Sequence, residues 1–276
     1  MSVGWGLAIV ACAAVLAAAT LLLVRRRAPE EGFFTDGDRA AGVFGVLATG
    51  VTLLLGFVIF LAFESYDESR SGAETEALMV AQQVSTAQLF PSAVSERLTS
   101  ELVCYGRSVV GQEWPAMESG VLGNHINPWG VALFRTLATV RPGDAAQEAA
   151  YSKWLDQTST REEARLDRVH GAEGIIPTPV WIVLFLSAGV IFCFMLFFAD
   201  GNERAYVQAL QMVAVVAVLG SMFVVLKLLD DPYHGGVGGL QPVAMERTLE
   251  VIDEALRAVD RTAPVPCADD GTRAAS

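Results

Sequence analysis

Histidine is scarce in this sequence, and the three present, His125, His170 and His234, are scattered without a partner at metal-ligating spacing. His170 and Glu173 stand three apart, but that pair reads as a helix end. There is no phosphate-cradling loop, no nucleophile elbow and no Cys-x-x-Cys. The glycines from Gly235 to Gly239 follow no strand, which excludes a dinucleotide fingerprint. An enzyme is therefore not expected, and neither a metal nor a cofactor is called for. No lysine- or arginine-rich strip is present, and the formal net charge is −12. Nucleic acid is excluded as a partner on that ground. Cysteine is also sparse at four residues. Cys12 and Cys193 lie in apolar stretches as small hydrophobes. Only Cys104 and Cys267 can meet in water; a bond would need an oxidising side and matching geometry, and the expectation is that they stay unbonded.

Charged residues make up only 18% of the 276, against 53% hydrophobic, too apolar for an ordinary soluble domain. Four stretches, 3–24, 43–63, 179–199 and 207–229, each supply roughly 20 mainly apolar residues, enough to cross a hydrocarbon core of ~30 Å. The first ends on Arg25-Arg26-Arg27 with no positive charge before it, which fits a retained anchor. Asp36 or Asp38 can cap the second. That span carries Gly42, Gly45, Gly50 and Gly56, which permit close helix approach. Thr49, Leu53, Phe57 and Phe60 or Leu61 form a bulky stripe expected on the opposite face. Residues 200–204 are so short a link that the third and fourth spans must form an antiparallel hairpin. Two such hairpins are expected in all.

Between the pairs of spans the helical period persists while the composition turns polar. Ala77, Val80, Val84 and Ala87 share one face; Val94, Leu98, Leu102, Tyr105 and Val109 share another. Glu113-Trp114-Pro115 is expected to end the second of these helices. Asn127-Pro128 starts a third through an N-cap and a proline at the first position, and a fourth runs from about 145 to 169. Four amphipathic helices of this length make a compact bundle. A terminal helix with Met245, Leu249, Ile252, Leu256 and Val259 in its seam is expected to pack on that bundle.

The fold class is therefore all-α: an integral membrane protein with four transmembrane helices and a soluble helical insert between the second and third. The expected segments are 1–27 for the first span and its basic flank, 28–64 for the connection and second span, and 65–176 for the insert. Residues 177–229 form the hairpin of spans three and four, 230–262 the Asp-Pro-Gly turn and amphipathic helix, and 263–276 a disordered tail.

The last span stops at Leu229-Asp230-Asp231-Pro232-Tyr233-His234-Gly235, where proline forbids continuation. Two carboxylates at the negative end of a helix dipole carry an electrostatic cost that something must offset. This heptapeptide resembles the Leu-Asp-x-Pro-Phe-x-Gly signature of the bestrophin-like membrane proteins, with Tyr233 in place of phenylalanine. Glu64-Ser65-Tyr66-Asp67 after the second span, and Tyr105 followed by Glu113-Trp114-Pro115 in the insert, are similar to that family too, over about 32–259. The resemblance implies an oligomeric ion channel with a passive pore lined by the second span. Bestrophins proper are pentameric anion channels with a hydrophobic neck, and Leu55-Gly56-Phe57 is similar to their neck helix. That makes Thr49, Leu53 and Phe57 the neck candidates. Leu229, Asp230, Asp231, Pro232, Tyr233, Gly235, Glu113, Trp114 and Pro115 become gating candidates, coupling the last span to the bundle.

The expected partners are the lipid bilayer, further copies of the chain and small inorganic ions. A membrane-anchored scaffold or sensor without transport activity is the alternative, favoured by the lack of a charged side chain at mid-span. Sidedness stays open. Arg25, Arg26 and Arg27 draw the first connection to the cytoplasm and so place the insert outside, whereas Arg70, Arg161, Arg165 and Arg168, and the cytosolic domain of bestrophins proper, point the other way.

Overall fold

The computed structural model describes residues 3–29, 33–120, 127–201, 203–258 and 265–274. His125 and Val259, singled out above, lie outside the described residues. The chain divides into two compact units, one of residues 1–65 and 174–239, the other of 66–173 and 240–276.

The first unit holds the four apolar helices: α1 (Val3–Arg25), the first part of α2 (Gly37–Ala87), α7 (Thr178–Phe197) and α8 (Ala205–Asp230). Each is long and apolar enough to cross a membrane. Asp36 rather than Asp38 opens α2, its Oδ1 accepting the Arg39 backbone N–H at 3.0 Å. Helix α1 packs along α8 so closely that a Cβ on Gly220 would meet the Val10 side chain at 3.0 Å. The first and last spans are thus neighbours, a pairing that an arrangement of two hairpins did not anticipate. Ala17, Leu21, Ala199 and Met212 form one apolar cluster; Leu55, Val58, Ala62, Leu184 and Leu226 form another. At the far end of α1, Arg25 donates from Nε to the Asp200 carbonyl at 3.0 Å and from Nη2 to that of Gly201 at 2.9 Å. A basic flank read as a topology signal therefore also satisfies two backbone carbonyls in the stretch between α7 and α8.

In the second unit α2 continues without a break to Ala87, joined by α3 (Ser92–Ser108), α4 (Trp114–Glu118), α5 (Pro128–Ala138), α6 (Ala145–His170) and α9 (Val243–Ala258). Asn127 caps α5, accepting the Trp129 N–H with Pro128 in the first turn, and Asp144 caps α6. Glu113-Trp114-Pro115 does not end the second helix. A π-helical turn, Val109–Glu113, leads directly into α4, Trp114–Glu118, so the chain stays helical past the motif. Gly72 lets α2 and α6 touch backbone to backbone: a Cβ there would lie 2.7 Å from the Ala164 carbonyl oxygen. Helix α9 lays Met245 and Leu249 against Gly106 of α3.

The tail corrects the sequence expectation twice. Cys104 and Cys267 are joined in a disulfide with their Cα atoms 5.8 Å apart. Residues 265–274, expected to be disordered, form an ordered strap on the bundle. An antiparallel bridge pairs Cys267 with Arg273. Trp129 Nε1 donates to the Gly271 carbonyl at 2.7 Å, and Gln112 Nε2 to that of Asp270 at 3.1 Å. Gly271 needs its positive φ of 77° and its bare Cα, since a Cβ would sit 2.2 Å from the Ser108 nitrogen.

Candidate functional site

Three groups of residues carry the chemistry, two in the first unit and one in the second. The first is a face of α2. Leu55, Val58 and Ala62 turn inward to α7 and α8, which leaves Thr49, Leu53 and Phe57 exposed, Leu53 at 69% and Phe57 at 60%. Gly42, Gly45, Gly50 and Gly56 are exposed too, with nothing within 4 Å of a Cβ built on any of them. The glycines and the bulky stripe were expected on opposite faces, yet both stand away from the helix's buried side. Spacing explains it: Gly42, Thr49 and Gly56 follow at intervals of seven, two turns each. The Thr49 hydroxyl donates to the Gly45 carbonyl of its own helix at 2.8 Å, so its polarity is satisfied without water.

The second group is the turn that ends α8. Asp230 is buried, and its Oδ1 accepts the backbone N–H groups of Ile175 and Ile176 at 3.0 and 2.8 Å. Its Oδ2 accepts from Lys227 Nζ at 3.0 Å. These three donors offset the repulsion between the carboxylate and the helix dipole. Asp230 therefore works as a clamp, fixing the segment that enters α7 to the end of α8. Asp231 is half-buried and contributes its carbonyl, which accepts from the His234 backbone at 3.3 Å and from Nδ1 of the same ring. Leu229 packs on the apolar cluster of α2, while Pro232 and Tyr233 are buried. Gly235 is exposed, and a Cβ added to it would meet nothing within 4 Å. The steric demand falls later, on Gly238 with φ 89° and on Gly239, whose Cβ would lie 2.0 Å from the His234 carbonyl oxygen.

The third group is an ion cluster inside the helical bundle. Arg168, fully buried on α6, donates from Nε to Glu76 Oε2 at 2.5 Å and from Nη2 to Glu76 Oε1 at 3.1 Å. The same Nη2 reaches Glu113 Oε2 at 2.7 Å, and Arg165 Nε lies 3.4 Å from that oxygen. Asn127 Nδ2 donates to Glu113 Oε1 at 2.9 Å, and the Tyr105 hydroxyl to Glu76 Oε1 at 2.6 Å. Arg168 and Arg161 stand over the rings of Trp114 and Tyr105, and Trp114 Nε1 donates to the Leu240 carbonyl at 3.3 Å. Burial alone would raise the Glu113 pKa, but Arg168 and Arg165 outweigh it and hold the group below the usual carboxylate value. Burial, reinforced by Glu76, pushes the Tyr105 phenol well up, so it stays a donor.

Of the residues singled out from sequence, Glu113 and Trp114 enter this cluster, while Pro115 is exposed beside it. Glu76 and Arg168 were missed as its centre. The signal available was the spacing of Arg161, Arg165 and Arg168 at four and three along α6, one cationic stripe on a helix. Among the described residues, no group of three or more His, Cys, Asp or Glu side chains could hold a metal ion.

Four apolar helices in one unit and a helical bundle in the other define a multi-pass protein of the cell membrane. The chain belongs to the Bestrophin-like family, whose domain model matches residues 11–242. Among solved structures it is similar to a bacterial bestrophin homologue from Klebsiella pneumoniae carrying a point mutation, with TM-score 0.67 and 16% identity over 87% of this chain and 97% of that one. A second mutant of the Klebsiella pneumoniae homologue matches with TM-score 0.64 and 15% identity over 90% and 98% of the two chains. A structure described as a membrane protein with a point mutation gives TM-score 0.69 and 15% identity over 88% and 98%. Comparison with curated proteins by sequence found no match.

Proposed function

We propose that this chain is an oligomeric ion channel, selective for anions, whose α2 helices line a passive pore. The observation that carries the reading is the uncovered face of α2 within a bestrophin-like fold. In a single copy that face exposes large apolar side chains beside small residues, which suits an apolar constriction formed by several copies. Arg39 is exposed in the first turn of the same helix, and Arg26 and Arg27 are exposed just after α1 on the link that leads to it, where they would concentrate anions at the mouth. Detergent-purified protein is expected to run as a symmetric oligomer, and liposomes containing it to lose an imposed chloride gradient. A monomer that leaves the liposomes tight would instead establish the scaffold reading.

The channel would be oriented with its helical bundle on the oxidising, extracytoplasmic side, opposite to bestrophins proper. The Cys104–Cys267 disulfide supports this, because such bonds persist outside the reducing cytosol. The short links between spans agree: Arg25, Arg26, Arg27, Arg39 and Arg204 all lie in or beside the two on the other membrane face, and short loops rich in arginine stay cytoplasmic. In intact cells expressing a Cys12→Ser, Cys193→Ser background, a membrane-impermeant maleimide is expected to label the protein only after an impermeant reductant is added. Labelling that requires cell lysis would place the bundle inside and overturn the orientation without touching the channel reading.

A further inference from the structure

The strap also builds one wall of a groove. Helices α3 and α5 and residues 265–274 surround an open cavity of about 640 Å³, lined by Arg97, Glu101, Trp129, Arg135, Arg273 and Glu96 among others. Trp129 is buried, and the Arg273 guanidinium stands 5.8 Å over its ring, which fixes that cation at the wall. Glu101 is only 5% exposed. Its Oε1 accepts from Arg97 Nε at 3.2 Å and from the Thr136 hydroxyl at 2.9 Å, while its Oε2 is buried with no hydrogen-bond partner. Arg135 and Arg273 have no carboxylate partner among the described residues.

Three guanidinium groups thus face two carboxylates in one groove, an excess of one positive charge. We propose that it binds a small amino dicarboxylate: a molecule with two acidic groups and one ammonium. Arg135 and Arg273 present planar forks that match carboxylates. A buried carboxylate oxygen without a donor is costly, and an ammonium from the ligand would relieve that cost at Glu101. Cations alone would take any small anion; the acidic oxygen among them is what selects for an amine on the ligand.

Binding is to be measured by titration calorimetry on the full-length protein in detergent, with L-aspartate, succinate and inorganic phosphate as probes. L-Aspartate is expected to bind at least about tenfold more tightly than succinate, the factor that ~1.4 kcal/mol of ammonium–carboxylate interaction supplies. Arg135→Gln and Arg273→Gln, both changes of exposed side chains, are expected to weaken L-aspartate by a similar factor. Glu101→Gln should erase the difference between L-aspartate and succinate. The proposal is overturned if L-aspartate shows no binding at millimolar concentration, or if succinate and L-aspartate bind alike to the unaltered protein. It is equally overturned if both arginine variants bind L-aspartate unchanged. Each outcome is independent of whether the liposomes leak.

Discussion

Replacing Arg168 by methionine is expected to destabilise the helical bundle by about 3–5 kcal/mol, the cost of leaving buried carboxylates without their cation. Methionine keeps much of the volume and removes the charge. Glu76 then retains only the Tyr105 hydroxyl among the partners described above, and Glu113 keeps Asn127 and the longer contact to Arg165. At roughly 2–4 °C per kcal/mol for a chain of this size, the melting temperature should fall by on the order of 10 °C. Arg70→Met provides the contrast. Arg70 pairs with Glu74 at 3.1 Å, but both side chains are more than half exposed, so that change should cost no more than about 1 kcal/mol. A second substitution, Glu76→Gln, should recover part of the loss in the Arg168→Met background and cost stability in the parent. An Arg168→Met protein that melts with the parent would show that the cluster does not hold the bundle. The acid limit has the same origin. The folded-state pKa of Glu113 lies below its ordinary value of 4.5, so its stabilising contribution is complete above that value and is lost as the pH falls through the folded pKa. In the Arg168→Met protein this acid transition should move to higher pH.

The spans and caps were legible because their causes are local. Twenty apolar residues in a row, or Asn127 ahead of Pro128, need no knowledge of the rest of the chain. The strap was not legible for the opposite reason. Pro266 and Gly271 read as coil, and what orders them comes from 163 residues away, through the disulfide, and from α3 and α5. The ion cluster fell between these cases. Glu76, Glu113 and Arg168 sit on three different stretches, each looking like one more charge on a polar helix face, and only the approach of α2 to α6 at Gly72 brings Glu76 to Arg168. The Asp-Pro-Gly turn was read as a stop and as a coupling of the last span to the bundle, but not as a clamp on the start of α7. The partners of Asp230 are backbone groups of Ile175 and Ile176, which no side-chain pattern announces.

Phe57→Ala is expected to raise the chloride leak from liposomes on the order of tenfold, because lowering the barrier to permeation by only ~1.4 kcal/mol changes a rate by that factor. The reasoning starts from the exposure of the ring, 60% in the single chain, on the face that also carries Thr49 and Leu53. If copies of α2 surround a pore, each contributes one Phe57, so a single substitution alters the constriction several times over. Alanine both widens the opening and removes apolar wall, and both changes favour water and hence a hydrated ion. Leu53→Ser should act in the same direction by adding a hydroxyl at the next turn. Leu186→Ala is the control: on α7, at 67% exposure, it removes similar apolar surface from a helix outside the proposed lining. That variant should leak at the parent rate. If all three variants leak alike, the uncovered face of α2 meets lipid rather than ions, and the neck assignment falls even if the oligomer stands. If Phe57→Ala and Leu53→Ser leak faster and Leu186→Ala does not, the arrangement of exposed and buried residues along one helix will have located the narrowest part of the conduction path.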